Sequence, residues 1–382
     1  MEIRSLSEYT GCRVLAKAEF LNPGGSSKDR IALYLIEKAE ENGLLVPNTG
    51  CCIFEGTSGS TGISLAMIAK AKGYKCHIVM SSDIAKEKSD ILEKYGATVE
   101  RVPPCSIVDP NNFVNVARRR ADEYTLQHQN NSEWGSSSSA LGDGTHKKGF
   151  SPRGYFVNQF ENPLNFEAHY TRTGPEIYQQ ITSQCNGGSS GKVDAFIHGS
   201  GTGGTISGVT KYLRTKFPEL KVYLADPQGS GLANKVNHGV MFSPTEKEGT
   251  RKRHQVDTIV EGIGLNRLTK NFAFLFPNSK MPTSLVDGGA ITVTDQEAVY
   301  MSRWLAENDG NTRETRLFVG SSSAINCVAV LKIAKKLGAG KTIVTILADS
   351  GQRHLTKFWN DGYLDKLSLS TTPPSSLDSF IS

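Results

Sequence analysis

Apolar and polar positions along the chain repeat in a regular order. A short apolar run comes first, then a polar turn, then a longer stretch with apolar residues every three or four positions. Short apolar runs bounded by turn residues read as strands buried on both faces, and the 3.6-residue recurrence reads as amphipathic helix. The runs predict strands at Val14–Phe20, Cys51–Glu55, Lys75–Met80, Thr98–Val102, Val193–His198, Lys221–Asp226, Leu317–Val319 and Thr342–Ala348. The helical period predicts helices at Ile31–Glu41, Ile63–Lys72, Ala85–Tyr95, about Asn112–Tyr124, Ala168–Gln180, Thr205–Lys216, Asp295–Asn308 and Ala324–Leu337. This alternation argues for open α/β sheets with largely parallel strands, which bind ligands at the carboxyl ends of their strands.

The pattern lapses in four places. Residues of about 127–150 are rich in Ser, Gly, Asn and His and read as a mobile insertion; Cys185–Gly191 reads as a shorter flexible bridge. Gly229–Arg253 reads as a long loop, and the Ser/Thr/Pro-rich residues 368–382 as a disordered tail. The length of 382 residues suggests two domains. A net charge of +5, with basic runs only at Arg118–Arg120 and Arg251–Arg253, gives no dense patch for nucleic acid. Seven scattered cysteines, with no C-x-x-C pair and no H-E-x-x-H, indicate neither a disulfide framework nor a metal site. No apolar run has the length of a membrane span, and Met1–Arg4 is neither a signal peptide nor a transit peptide.

The chemistry gathers in the turns. Asn22-Pro23-Gly24-Gly25-Ser26-Ser27-Lys28-Asp29-Arg30 runs from the first strand into a helix, with Lys28 at the junction. The positive end of a helix dipole favours the neutral amine there, and a neutral lysine can form a Schiff base with a carbonyl such as that of pyridoxal phosphate (PLP). The plain alternative is a serine-capped turn with a surface lysine. Three later loops share one form, a strand, a Gly/Ser/Thr turn and a helix. Glu55–Gly62, with Thr57, Ser58, Gly59, Ser60 and Thr61, makes an anion site of carboxylate size. His198–Thr205 is a glycine-richer anion cradle. It also fits the dinucleotide fingerprint through Gly199-x-Gly201-x-x-Gly204, with Asp226 at the end of the next strand as a ribose reader. These residues alone leave phosphate cradle and dinucleotide site equally open. Gly320–Ala324 is the third loop, and Asp349-Ser350-Gly351 ends the last strand with a carboxylate and a hydroxyl.

Together these segments resemble the PLP-dependent fold-type II family of cysteine synthases and cystathionine β-synthases. Asn22–Arg30 resembles its lysine motif, Thr57–Gly62 its substrate-carboxylate loop, and Tyr155–Pro163 the segment whose glutamine, here Gln159, faces that carboxylate. Gly201-Thr202-Gly203-Gly204-Thr205 resembles its cofactor-phosphate loop. Glu261–Gly264, Gly320–Ala324 and Asp349–Gly351 resemble later signatures. The mid-chain insertion and Ser60, where the family usually has Asn, look most like fungal mitochondrial cysteine synthase-like proteins. The family's opening before the first strand is missing, so the chain is expected to start late.

The resemblance implies two open α/β domains with the active site between them. The smaller covers 22–161; the larger covers 1–21 and 162–367. It implies PLP bound by Lys28, Ser60, Gly201, Thr202, Gly203, Gly204, Thr205, Gly264 and Ser350. It places the substrate carboxylate on Thr57, Ser58, Gly59, Thr61 and Gln159, with Lys28 as the catalytic residue. The implied reaction is β-replacement, O-acetylserine plus sulfide giving cysteine and acetate, by a homodimer acting on small molecules. The implied location is the mitochondrion, with the cytoplasm as alternative. Cystathionine formation or β-elimination, a PLP-fold binding protein of low activity, and an NAD-dependent oxidoreductase remain as alternatives.

Overall fold

The computed structural model describes residues 1–57, 59–84, 86–130, 151–183, 191–242, 258–276, 284–308 and 316–380. They fall into two compact units, one gathering Met1–Ser27 with the residues from Asn165 onward, the other holding Lys28–Leu164. Among the described residues the strands are β1 (Arg13–Ala18), β2 (Cys52–Gly56), β3 (Lys75–Ser81), β4 (Thr98–Val102), β5 (Gly154–Phe156), β6 (Ala195–Gly199), β7 (Lys221–Pro227), β8 (Gly289–Val293) and β9 (Thr342–Leu347). All named strand pairs are parallel.

The larger unit is built on a sheet of order β1-β9-β6-β7-β8. Alternate residues of its strands enter different cores. Ala195, Ile197, Tyr223, Ala225, Ile343 and Leu347 pack in one, with the helix Ser321–Leu337. Phe196, Val222, Leu224, Val344 and Ile346 pack in the other, with the helices Gly174–Ser183 and Gly204–Lys216. Burial on both faces is why these strands read as continuous apolar runs. The smaller unit has the order β4-β3-β2-β5. Helix Phe113–Asn130 packs Phe113, Val114, Val116, Ala117 and Ala121 toward β2, β3 and β5.

Several expectations are corrected. Gly229–Arg253 is not all loop: Leu232–His238 is helical, because Leu232, Ala233 and Val236 are spaced to bury one face. The tail is ordered through Phe380. Leu377 is only 1% exposed in the core, Ser370 is tied to the Gln296 side chain, and Lys335 pairs with Asp378. Leu317–Val319 is no named strand; Val319 makes a single bridge to Ser350. The helix expected at Ala168–Gln180 starts at Leu164 and holds a π turn, His169–Thr173, before Gly174–Ser183. Helix Phe113–Asn130 outlasts its expected end near Tyr124, while 131–150 and 184–190 lie outside the described residues. Asn22–Ser27, expected in the smaller domain, groups with the larger unit, since Ser27 N–H donates to Ala348 O at 3.0 Å and Ser26 bridges Asp349.

Candidate active site

In the smaller unit the chain runs β2, β3, β4 in one direction across the sheet and then returns to place β5 on the other side of β2. Loops leaving β2 and β5 therefore diverge at a switch in strand order, where open α/β sheets bind ligands. Thr57 and the helix Ser60–Lys72 follow β2; Gln159 follows β5. The two meet: Thr61 Oγ1 donates to Gln159 Oε1 at 2.6 Å, both side chains buried. Gly59 N–H donates to Thr57 Oγ1 at 3.3 Å. Ser60 is half-buried at the first helical position, and Ser58 lies outside the described residues. Lys28 is half-buried and opens helix Lys28–Glu41; its neighbour Asp29 is buried and accepts from Ser64 Oγ of helix Ser60–Lys72.

Beneath this pair stands Glu55, the fourth residue of β2 and fully buried. Gln159 N–H donates to its Oε2 at 3.4 Å, and the Gln159 side chain also hydrogen-bonds it. Burial pushes the Glu55 carboxyl from 4.5 up to about 8, against the opposing pull of the Gln159, Asn158 and Gly56 backbone. Burial thus favours the neutral form of Glu55, so its carboxyl opposes an anion at the Thr61–Gln159 pair less than an exposed one would. Sequence reasoning named Glu55 only as the start of its loop. A carboxylate closing a strand buried at every position was the available signal.

The larger unit repeats the arrangement. The chain runs β6, β7, β8 one way and places β9 on the other side of β6. Ser200–Gly203 follows β6 and leads into helix Gly204–Lys216; Ser350 follows β9. Gly203 has φ +89°, and a Cβ there would fall 2.5 Å from Phe272 N, so only glycine fits. Thr202 O accepts from Thr269 Oγ1 at 2.7 Å, and Gly264 N–H donates to Ser200 O at 2.9 Å, fixing the loop from both sides. The donor set suits a phosphate. The first turn of the helix carries no acidic side chain, its N–H groups have no intrahelical acceptor, and Thr202 and Thr205 add hydroxyls. The buried Ser200 hydroxyl has no protein partner among the described residues.

Asp226 does not serve as a ribose reader. It is fully buried, its Oδ2 accepts from Ala233 N–H at 2.7 Å at the start of helix Leu232–His238, and burial raises its carboxyl to about 7. The dinucleotide reading loses its acidic partner. Ser350 is half-buried, while the adjacent Asp349 is buried against His354 Nε2 at 3.1 Å. His354 Nδ1 lies 3.6 Å from Glu261.

Residues 1–349 match the family described as pyridoxal-phosphate dependent enzyme. The chain belongs to that family. Among its curated relatives, "Cysteine synthase 2" of Schizosaccharomyces pombe is 53% identical over 99% of this chain and 85% of its own length. A Saccharomyces cerevisiae protein, provisionally named a mitochondrial cysteine synthase, is 48% identical over 94% of this chain and 81% of its own. The O-acetylserine dependent cystathionine β-synthase of Helicobacter pylori superposes with a TM-score of 0.66 at 28% identity, covering 91% of this chain and 90% of that one. This pyridoxal-phosphate dependent enzyme thus has the fold-type II architecture, two α/β units with parallel sheets.

Proposed function

We propose that the chain makes L-cysteine by β-replacement, joining sulfide to O-acetylserine with loss of acetate. The observation that carries this is the meeting of Thr61 and Gln159 over the buried Glu55, where the Gln159 amide nitrogen and the backbone N–H groups that open helix Ser60–Lys72 make a seat for an amino-acid carboxylate, in an enzyme whose relatives are named cysteine synthases. Lys28, Gly201, Thr202, Gly203, Gly204, Thr205, Gly264, Ser350 and Ser60 would hold PLP, which would supply the electron sink for carbanion chemistry. The chain's residues do the rest. Thr57, Ser58, Gly59, Thr61 and Gln159 bind and orient the substrate carboxylate with fixed donors in place of water. Lys28 Nζ, freed when the substrate amine takes its place, would take the α-proton as general base.

On the same reading the chain acts on small molecules as a homodimer, in the mitochondrion named for its yeast relative, with the cytoplasm as the alternative. Cystathionine formation is the second reading, favoured by the likeness to the Helicobacter enzyme. The test supplies the purified chain with O-acetylserine, O-phosphoserine or serine, then sulfide or homocysteine, and identifies products by mass. Cysteine with acetate as the dominant product is expected. Cystathionine as the main product selects the second reading, and no product from any pair, with PLP bound, leaves a binding protein of low activity.

A further inference from the structure

Behind the loop Ser200–Thr205 stands a second row of polar side chains that the reaction itself does not use. Asn165 and His169 are four residues apart, with the π turn beginning at His169, and both are buried. Residues at that spacing lie on one helical face. Asn165 Nδ2 donates to Thr202 Oγ1 at 2.9 Å. His169 Nε2 lies 3.0 Å from Thr205 Oγ1, and His169 Nδ1 lies 2.9 Å from Thr173 Oγ1, in a chain of three groups each exposed by 8% or less. The close approach depends on Gly208, where a Cβ would fall 2.7 Å from His169 Cβ. π turns occur mostly as single insertions, often at functional sites. This one carries His169 at its first position and Thr173 at its last.

We propose that Asn165 and His169 are positioning residues that turn the hydroxyls of Thr202 and Thr205 into hydrogen-bond donors toward the cofactor phosphate. An amide nitrogen can only donate, so Thr202 Oγ1 accepts from Asn165 and its own proton points elsewhere. The imidazole admits two arrangements. In one, Thr173 donates to Nδ1, Nε2–H donates to Thr205, and the Thr205 proton is directed outward. In the other every bond reverses, and Thr205 spends its proton on the ring. A phosphate at the loop selects the first, and the Thr173 hydroxyl, remote from the loop, secures it by donating to Nδ1. This rests on the reading of Gly201–Thr205 as the phosphate loop.

The test uses the full chain freed of cofactor and titrated with pyridoxine 5′-phosphate, which has the phosphate but no carbonyl to react with Lys28. Thr205→Val removes a hydroxyl that faces the anion; Thr173→Val removes only the donor behind the ring. Both should weaken binding by about tenfold, a loss typical of one hydrogen bond to a charged group, and the double variant should lose little more than either. The ³¹P resonance of the bound phosphate should move in Thr173→Val, which a purely structural loss elsewhere would not produce. Thr173→Ser, retaining the donor, should restore both. Wild-type affinity in Thr173→Val with weakened binding in Thr205→Val overturns the relay and leaves the phosphate loop standing. Wild-type affinity in Thr205→Val removes the loop reading and the relay with it. Should Thr173→Val fail to fold, ¹⁵N spectra of His169 in the wild-type complex decide. The Nε2–H tautomer is expected, and the Nδ1–H tautomer refutes the proposal.

Discussion

Glu55→Gln is the most informative change because it keeps the size and hydrogen-bonding geometry of a protonated carboxyl and removes only its ability to ionise. In the folded chain burial holds this carboxyl up to about 8, against 4.5 when unfolded. Between those values the folded protein holds a proton that the unfolded chain has released, so this contribution to stability falls as pH rises from about 4.5 to about 8. At ~1.36 kcal/mol for each pH unit, the full gap amounts to about 5 kcal/mol, and the part between pH 5.5 and 8 to about 3 kcal/mol. The assay is urea unfolding of wild type and Glu55→Gln at pH 5.5 and 8.5, with equal PLP loading. The variant removes this one dependence while Asp226 and every other titrating group stay common to both chains. Wild type should lose about 3 kcal/mol more than the variant on going to pH 8.5. Parallel pH dependences would mean that Glu55 is ionised in the folded state, and the neutral seat for the carboxylate would have to be abandoned.

Two further outcomes follow from the strand ends. If Ser350 meets the cofactor ring as proposed, Ser350→Asp should shift the visible absorption of bound PLP and slow acetate loss on the order of tenfold, or ~1.4 kcal/mol in the barrier. Asp349→Asn should leave that absorption unchanged, since Asp349 is turned toward His354, while costing ~1–3 kcal/mol of stability. A spectral shift in Asp349→Asn would reassign the ring partner. Ser60→Asn should raise the rate of acetate loss about fivefold by restoring one amide contact to the cofactor, measured by stopped flow; an unchanged rate would mean that the site is tuned around serine.

The sheets were legible where strands are buried on both faces. Thr98–Val102 is found as expected, and β2, β3, β6, β7 and β9 shift by only one or two residues at their ends. What escaped has little pattern to show. The strand Gly154–Phe156 is three residues long, β8 starts at a glycine, and helix Arg4–Thr10 buries only Ser5 and Leu6. The tail misled because composition registers serines and prolines, whereas order there hangs on single anchors such as Leu377. At the site, the glycine and hydroxyl loops could be read because their chemistry is contiguous in sequence. Glu55, Asn165 and His169 could not, because their parts come from burial and from partners far along the chain, such as Gln159 at 104 residues from Glu55.

Both candidate subsites come from one topological rule. In each sheet a central strand is flanked by the next strand in the chain on one side and by a much later one on the other, β3 and β5 about β2, β7 and β9 about β6. Neighbouring loops leave such a pair in opposite directions and open a crevice between them. The loops after β2 and β5 pair Thr61 with Gln159; those after β6 and β9 carry Thr202 and Thr205 on one and Ser350 on the other. Each set of anion donors hangs on its own sheet, with its own buried support: Glu55 beneath one, Asn165 and His169 behind the other. Serine at position 60 stands on the loop after β2, while Thr202 and Thr205 take their contacts from Asn165 and His169 within the other unit.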